Sequence, residues 1–287
     1  MKRPDISFEL FPPASADGLD NLGQAVKRLK SFDPKYYSIT YGAGGSGQQK
    51  SNELINTLVE DKDLTLAAHI TLAGASRQEI INTVKSWQVL GIKRLVALRG
   101  DAAVPGEAFV PHPDGFQDSV ELIAALRELG DFDIAVAAYP DPHPDSQSLA
   151  RDLEFLRHKQ DAGATRAITQ FFFEAESYFN FVKAARQAGI TIPIIPGILP
   201  INNISQLKRF ADRCGATIPN WVIKAFDGLE DNPETSAAVA VSLCLDLCRD
   251  LVEGGVDAFH FYTLNRSPLT EAVCRLLALE TKQKEAA

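Results

Sequence analysis

The sequence predicts a (β/α)8 barrel that forms one domain over residues 1–287. Three observations support this fold class. Eight short runs of β-branched or apolar residues can be counted, most are followed by a stretch with helical periodicity, and no low-complexity linker interrupts the chain. A doubly wound open sheet has the same alternation and is the alternative, but eight strand–helix units favour closure into a barrel.

The predicted strands fix the order of the elements along the chain. The first strand ends at Phe11, because the prolines that follow it cannot donate hydrogen bonds to a sheet ladder. The second strand is followed by the glycine-rich segment Gly42–Gly47 and by a helix from about Gln49 to Val59. The eight predicted strands are Ile6–Phe11, Tyr36–Thr40, Thr65–Thr71, Arg94–Leu98, Asp133–Ala138, Arg166–Phe173, Ile192–Ile195 and Ala258–Tyr262.

Capping residues and apolar spacing predict the later helices. Ser76 precedes the third helix and Glu79 follows three residues later, which is the pattern of a capping box. The last helix is predicted to span roughly Leu269–Leu279. Extra helices are expected between the seventh helix and the eighth strand, within Ile218–Phe226 and along Leu243, Leu247 and Leu251.

The composition excludes several classes of function. A net charge of −8 argues against a nucleic-acid or anionic-membrane partner. Neither a signal-peptide segment nor an apolar run of 18 residues occurs, so a cytoplasmic location is expected. The histidines lack metal-type spacing, so no metal is expected. The cysteines are predicted to be free and mostly buried thiols, and they are Cys214, Cys244, Cys248 and Cys274.

Polar residues occur at nearly every predicted strand end. In a (β/α)8 barrel, active sites form at the carboxyl ends of the strands. Scattered surface residues would not be expected to gather there, so we predict an active site at this end of the barrel. The residues are Glu9, Thr40, Tyr41, His69, Arg99, Gly100, Asp101, Tyr139, His143, Gln170, Tyr262 and Arg266.

Glu9 is the first candidate for catalysis. It lies among Phe8, Leu10 and Phe11 near the end of its strand. Apolar surroundings disfavour an ionised carboxylate and raise its pKa. A glutamic acid with a raised pKa stays protonated near neutral pH and can act as a general acid. The alternative is that Glu9 is an ordinary polar residue on an edge strand.

Three further candidates each have two interpretations. The segment Gly42–Gly47 could form an anion nest or a plain loop. His69 could contact a ligand or be a hydrogen-bonded core residue. Arg99 and Asp101 could face a ligand, with Gly100 allowing close backbone approach, or they could form a solvated ion pair.

Two candidates lie on later elements. Asp152, Phe155 and Lys159 share one face of the fifth helix, where they could reach a ligand phosphate or ribose or could simply be solvated. Gln170 lies in an apolar strand and needs hydrogen-bond partners if it is buried. Its planar amide suits recognition of another planar amide, such as that of a pterin or a nicotinamide.

Taken together, these segments resemble the bacterial methylenetetrahydrofolate reductase family, whose members are flavoprotein (β/α)8 barrels. The resemblance covers nearly the whole chain, and the segments occur in the family's order. The matching segments are Ser7–Pro13, Ser38–Ala43, His69–Thr71, Val96–Asp101, Ala137–Pro140, His143-Pro144, Asp161–Ala164, Ala167–Phe173, Ile195–Pro200 and Phe259–Arg266.

The resemblance implies a two-step reaction. NADH or NADPH reduces FAD, and the reduced flavin transfers hydride to 5,10-methylenetetrahydrofolate, giving 5-methyltetrahydrofolate. The residue matching Glu9 is then the general acid that protonates N10 of the folate. The residue matching Asp101 tunes the flavin and stabilises the cationic iminium form of the folate. The resemblance also implies a homo-oligomer.

The resemblance assigns further residues to the two ligands, although the sequence does not choose between NADH and NADPH. The residues implied to contact FAD are Thr40, Tyr41, Ala43, His69, Arg99, Gly100, Asp101, Tyr139, His143, Asp152 and Lys159. The residues implied to contact folate or the nicotinamide are Gln170, Gln206, Phe210, Tyr262 and Arg266.

Two positions depart from the family pattern. Family members typically carry a polar residue in place of Phe155 and an arginine in place of His158, on the helix that contacts the adenosine half of FAD. Weaker or different FAD binding is therefore expected. The rival functions are a proline-dehydrogenase-like flavin barrel, a barrel subunit that takes electrons from a partner protein, and a flavin-independent variant of the same reductase.

Overall fold

The computed structural model describes residues 3–42, 45–102, 107–146 and 148–286. Within these ranges nine strands form one parallel sheet, in the order β7-β6-β5-β4-β3-β2-β1-β9-β8. The strands are β1 Asp5–Leu10, β2 Tyr36–Ile39, β3 Leu66–Thr71, β4 Arg94–Leu98, β5 Asp133–Ala138, β6 Arg166–Thr169, β7 Ile194–Ile195, β8 Gly197–Ile198 and β9 Ala258–Tyr262.

β7 lies within the predicted seventh strand, Ile192–Ile195, whereas β8 follows Pro196 and was not predicted. β7 pairs with β6, whereas β8 pairs with β9, which in turn pairs with β1. The carbonyl of Pro196 accepts a hydrogen bond from the backbone N–H of His260 at 3.1 Å. The sheet therefore closes on itself, which confirms the predicted barrel and excludes the open sheet.

Helices surround the barrel, and α9 packs against both α6 and α10 in this outer layer. The helices α7 and α8, which belong to the connection between β8 and β9, pack on a separate apolar cluster that includes Leu207 and Val222. The bounds are α1 Ala16–Leu29, α2 Gly45–Leu58, α3 Arg77–Val89, α4 Ser119–Leu129, α5 Leu149–Asp161, α6 Ala175–Gln187, α7 Ile204–Cys214, α8 Asn220–Ala225, α9 Pro233–Glu253 and α10 Ser267–Ala286.

Local interactions explain where some elements begin and end. Ser76 and Glu79 form the predicted capping box at the start of α3. The sixth strand was predicted to reach Phe173 but ends at Thr169. There, the side-chain oxygen of Gln170 accepts the backbone N–H of Phe171 at 3.0 Å, so a side chain satisfies a donor that an extended ladder would have used.

Helix α2 begins at Gly45, four residues before its predicted start. Its first turn lies against the segment that precedes it, because a Cβ added to Gly42 would meet the Cα of Gly47 at 2.8 Å. Only glycine permits such a close backbone approach. Ala43 and Gly44, part of the predicted glycine-rich loop, lie outside the described residues.

The two sides of the sheet have different chemistry. Phe8, Leu10 and Phe261 belong to the large apolar core and are completely buried. Ser7 and His260, whose side chains alternate with these, bond to each other at 2.8 Å inside the barrel. The interior of the barrel is therefore polar as well as buried, and this determines the electrostatics of the site described below.

The state of the cysteines agrees with the prediction of free and mostly buried thiols. All four cysteines are free, and Cys244, Cys248 and Cys274 are buried as predicted. None of the described helices has the length and apolar character needed to span a bilayer.

Replacement of Gly197 tests the closure of the barrel. A Cβ at this position would lie 2.1 Å from the carbonyl oxygen of Thr169, at the seam between β8 and its neighbours. We expect Gly197→Ala to lower the free energy of unfolding by about 3 kcal/mol or more, because rigid backbone would have to move. Urea unfolding followed by circular dichroism measures this change.

Gly23→Ala is the matched control for this substitution. Gly23 is exposed within α1, and an added Cβ meets nothing within 4 Å. Alanine there should stabilise the chain by up to about 1 kcal/mol, because glycine is the poorer helix former. Equal stability of wild type and Gly197→Ala would contradict the account of the seam.

Candidate active site

Two adjoining clefts open near the carboxyl ends of the strands. The mouth pocket has a volume of about 310 Å³, and its polar lining residues include Glu9, His69, Gln170, His260 and Tyr262. The outer cleft has a volume of about 660 Å³, and its lining residues include Arg99, Gly100, Asp101, His143, Asp152, Phe155 and Lys159. Leu98, Ala137 and Tyr139 line both clefts, so one extended ligand can occupy both.

Glu9 lies near the end of β1 with one-fifth of its side chain exposed to the mouth pocket. Burial raises the pKa of its carboxyl to about 8, which confirms the predicted direction. The surroundings differ from those predicted. Phe8 and Leu10 alternate to the outer face of the sheet, and the groups near Glu9 come from β3 and β9.

His69 is an ionisable neighbour of Glu9. Its Nε2 atom lies 3.7 Å from Oε2 of Glu9 and, among the described residues, has no hydrogen-bond partner. Burial lowers the pKa of His69 to about 3. At pH 7 the carboxyl therefore keeps its proton and the imidazole stays neutral, so this contact is a neutral pair and not a salt bridge.

His260 and Tyr262 form the side of the mouth pocket on β9. Nδ1 of His260 bonds to the Ser7 hydroxyl at 2.8 Å, and Nε2 lies 3.4 Å from the Ser38 hydroxyl. Burial lowers the pKa of His260 to about 3. The hydroxyl of Tyr262 donates to the carbonyl of Thr169 at 2.6 Å, and burial raises its pKa, with the Glu9 charge adding to the effect. Tyr262 is thereby held in place as a neutral phenol.

The outer cleft, in contrast, is lined by charged groups. Nη2 of Arg99 lies 2.7 Å from the Asp145 carboxylate, and this hydrogen bond lowers the pKa of Asp145. The Asp152 carboxylate accepts the backbone N–H of His143 at 3.0 Å. The Lys159 ammonium donates to the carbonyl of Ala137 at 3.3 Å, and burial lowers its pKa to about 8.

These groups suit a ligand with phosphates and sugar hydroxyls. Arg99 and Lys159 supply cationic donors, while Asp101 and Asp152 supply carboxylate acceptors. Gly100 has a φ of 87°, and a Cβ there would meet that of Ala73 at 2.7 Å, so this wall needs glycine. The lining therefore fits a nucleotide cofactor such as FAD. Within the described ranges, no cluster of His, Cys, Asp and Glu could hold a metal ion.

The structure brings most of the sequence-predicted residues to these two clefts. The mouth pocket receives Glu9, His69, Gln170, Phe210 and Tyr262, the outer cleft receives Arg99, Gly100, Asp101, His143, Asp152 and Lys159, and Tyr139 lines both. Ala43 lies outside the described residues.

Four predicted residues line neither cleft. Tyr41 is buried against the outer helices, with its ring 5.7 Å from that of Trp87. Thr40 follows β2, and its carbonyl accepts the Ser51 hydroxyl. Gln206 lies in the first turn of α7, where its backbone N–H bonds to Asn203. Arg266 lines a separate cleft of about 530 Å³ between the ends of β1 and β9.

Sequence reasoning omitted two ionisable residues of the mouth pocket. His260 lies two residues before Tyr262 on β9, so strand alternation places both side chains on the same face. Applying the two-residue alternation of a strand backwards from Tyr262 would have identified His260. Cys214 reaches the pocket from the end of α7. That position depends on how an inserted helix packs, and no local sequence pattern indicates it.

Comparison with known proteins identifies the relatives of this chain. The sequence profile of the methylenetetrahydrofolate reductase family matches residues 1–278. The chain belongs to this family. The 5,10-methylenetetrahydrofolate reductase of Pectobacterium carotovorum is 43% identical over 277 residues, which cover 96% of this chain and 91% of the relative. The Escherichia coli K12 enzyme of the same name is 41% identical, with the same coverage.

Two more distant proteins complete the comparison. A rice protein named probable methylenetetrahydrofolate reductase (NADH) is 33% identical, and the match covers 98% of this chain but 49% of the relative. A Clostridium thermocellum protein, solved with two copies of 5-methyl-5,6,7,8-tetrahydrofolic acid, has a TM-score of 0.64 at 15% identity, covering 98% of this chain and 96% of that chain. The second likeness supports the fold, and the family match confirms the predicted reductase class.

The neutral state of His260 makes stability depend on pH. Its pKa is lowered to about 3 in the folded chain from an ordinary value of 6.5. As pH falls below 6.5, the unfolded chain gains a proton that the folded chain does not, so stability falls by up to about 1.4 kcal/mol per pH unit. We expect His260→Asn to make the pH dependence of unfolding shallower between pH 6 and 4, as measured by urea titrations.

Ser7→Ala is the control, because it removes a hydrogen bond to His260 but keeps the imidazole. It should lower the free energy of unfolding by about 1 kcal/mol at every pH and leave the slope unchanged. A His260→Asn curve parallel to that of wild type would show that this histidine is not the source of acid sensitivity.

Proposed function

We propose that this chain is an FAD-dependent methylenetetrahydrofolate reductase that uses NADH or NADPH to convert 5,10-methylenetetrahydrofolate into 5-methyltetrahydrofolate. The observation that carries the proposal is the placement of Glu9, a buried carboxyl whose pKa is raised to about 8, in a mouth pocket that adjoins a nucleotide-sized cleft. Mere binding of a folate would not need a general acid at this position.

Glu9 is proposed to donate its proton to N10 of the folate. This protonation opens the five-membered ring and gives an iminium carbon that can accept hydride. Because the pKa of Glu9 is raised to about 8, the acid form predominates at neutral pH, and the ionised form left after transfer is readily protonated again. His69, neutral and 3.7 Å away, adds no positive charge that would favour premature ionisation.

Other residues are proposed to orient the folate and stabilise its charge. Gln170 presents an amide to the mouth pocket, Phe210 adds an aromatic wall, and the hydrogen bond of Tyr262 to Thr169 fixes its ring. Asp101 lies three residues beyond the end of β4 and is an exposed carboxylate in the outer cleft. A negative charge there would favour the cationic iminium over the neutral substrate.

The outer cleft is the proposed site of FAD. Arg99, His143 and Lys159 would hold the diphosphate, and Asp152 would hold a ribose hydroxyl or orient the His143 loop. When bound, FAD would supply hydride transfer between the nicotinamide and the folate. The rice relative carries NADH in its name, which makes NADH the first donor to test.

Two alternative functions differ from this proposal in the route that the electrons take to the folate. The chain could take electrons from a partner protein instead of a nicotinamide, or it could reduce folate without a flavin. The departures from the family pattern at Phe155 and His158 make the second alternative worth testing. A cytoplasmic location and a homo-oligomer also belong to the proposal.

Anaerobic stopped-flow spectroscopy tests the proposed function. Wild-type protein reconstituted with FAD should lose its flavin absorbance on addition of NADH or NADPH and recover it on addition of 5,10-methylenetetrahydrofolate. Failure to bind FAD would support a flavin-independent reaction. Bound FAD that neither nucleotide reduces would support a partner protein as the electron donor.

The role of Glu9 is tested by Glu9→Gln. We expect flavin reduction by NADH to persist, whereas folate-dependent reoxidation should slow by a factor of about 100 or more, because the general acid is absent. Glu60→Gln, an exposed substitution away from the clefts, is the control. Loss of both half-reactions in Glu9→Gln would argue against a role as proton donor.

The pH dependence of wild type provides a second test of Glu9. Because its pKa is raised to about 8, the proton is present below that pH and lost above it. The rate of folate-dependent reoxidation should therefore fall about tenfold per pH unit well above pH 8. A rate that already falls between pH 4 and 6 would indicate a carboxyl with an ordinary pKa.

A further inference from the structure

Phe155 is an aromatic side chain in a cleft where most of the lining residues have polar side chains. It lies on α5 with 37% of its surface exposed, and it lines the outer cleft. The helix residues adjacent to it in this lining are Asp152, Glu154, His158 and Lys159, all of which are polar or charged. The exposed part of this ring gives the cleft an apolar aromatic surface against which a planar ring of a ligand can pack.

The ring of Phe155 is held in place by a cation. Nζ of Lys159, one helical turn further along, lies 4.8 Å from the ring centroid. This ammonium also donates to the carbonyl of Ala137 at the end of β5, and Lys159 is itself buried. One face of the ring is thus occupied by Lys159, so the remaining exposed ring surface is available to a ligand in the cleft.

The position of Phe155 indicates which part of a dinucleotide it meets. The reacting ring of such a cofactor must lie near Glu9, which lines the mouth pocket. Phe155 lines only the outer cleft, beyond the shared wall at Tyr139. A dinucleotide with its flavin at the mouth would therefore direct its diphosphate towards Lys159 and its adenine towards Phe155.

We infer that Phe155 is a stacking platform for the adenine ring of the cofactor, and that it makes this chain select FAD over FMN. The inference rests on the proposed function, because it requires a flavin dinucleotide. The family resemblance implied weaker or different FAD binding, because family members typically carry a polar residue in place of Phe155. The structure favours a replacement of polar recognition by stacking on an aromatic face.

The inference is tested by ligand titrations of full-length wild type, Phe155→Leu and Phe155→Trp. Isothermal calorimetry would measure the dissociation constants of FAD, FMN, ADP and inorganic pyrophosphate. For Phe155→Leu we expect roughly tenfold weaker binding of FAD and ADP, because base–aromatic stacking is lost. FMN and pyrophosphate should bind within about twofold of wild type, and Phe155→Trp should retain FAD and ADP binding.

Trp221→Leu is the matched control, because it removes an exposed aromatic side chain on α8 outside the outer cleft. It should leave all four dissociation constants unchanged. Unchanged FAD and ADP binding in Phe155→Leu would overturn the inference. An equal loss for all four ligands would also overturn it, because Phe155 would then act only by positioning Lys159. If wild type binds ADP but neither flavin, the proposed function fails as well.

Discussion

Pro196 separates β7 from β8, so one strand contributes to two ladders, with β6 on one side and β9 on the other. Closure at this point leaves no room for a side chain at Gly197, whose backbone lies against the Thr169 carbonyl and the Tyr262 ring. The same carbonyl accepts the Tyr262 hydroxyl. The seam of the barrel and one wall of the mouth pocket are therefore a single packed unit, and any change that opens the seam would also displace Tyr262.

Closure also determines the protonation of the groups inside the barrel. An ion in the interior would lose its hydration, and the described neighbours supply no opposite charge to compensate for that loss. Glu9, His69, His260 and Tyr262 are accordingly all neutral at pH 7. Because the imidazole of His69 is neutral, no ion pair with it stabilises the ionised form of Glu9. The carboxyl therefore keeps the proton that it would donate. The catalytic property assigned to Glu9 thus follows from the fold more than from any single neighbour.

The strand-borne part of the site could be predicted from sequence, because strand ends and side-chain alternation are local properties. Glu9, His69, Gln170 and Tyr262 were found from the predicted strand ends and converge on the mouth pocket. Tyr41 shows the limit of the method. It lies two residues beyond the end of β2, and the side-chain alternation directs its ring towards Trp87 and away from the pocket. The contribution of α7 depends on the packing of an inserted segment, which local patterns do not encode.

The two clefts differ in charge, but the proposed function requires a protonated group in each of them. The proposed roles require Glu9 as a neutral acid in the mouth pocket and Lys159 as a cation in the outer cleft, so each group is required in its protonated form. Burial raises the pKa of Glu9 to about 8 and lowers that of Lys159 to about 8. The two pKa values are shifted in opposite directions, so both groups are mainly protonated at neutral pH and lose their protons at alkaline pH. An anion bound beside Lys159 would favour its charged form and raise the pKa of Lys159 without changing that of Glu9. Cofactor binding and proton donation can therefore be separated by their dependence on pH.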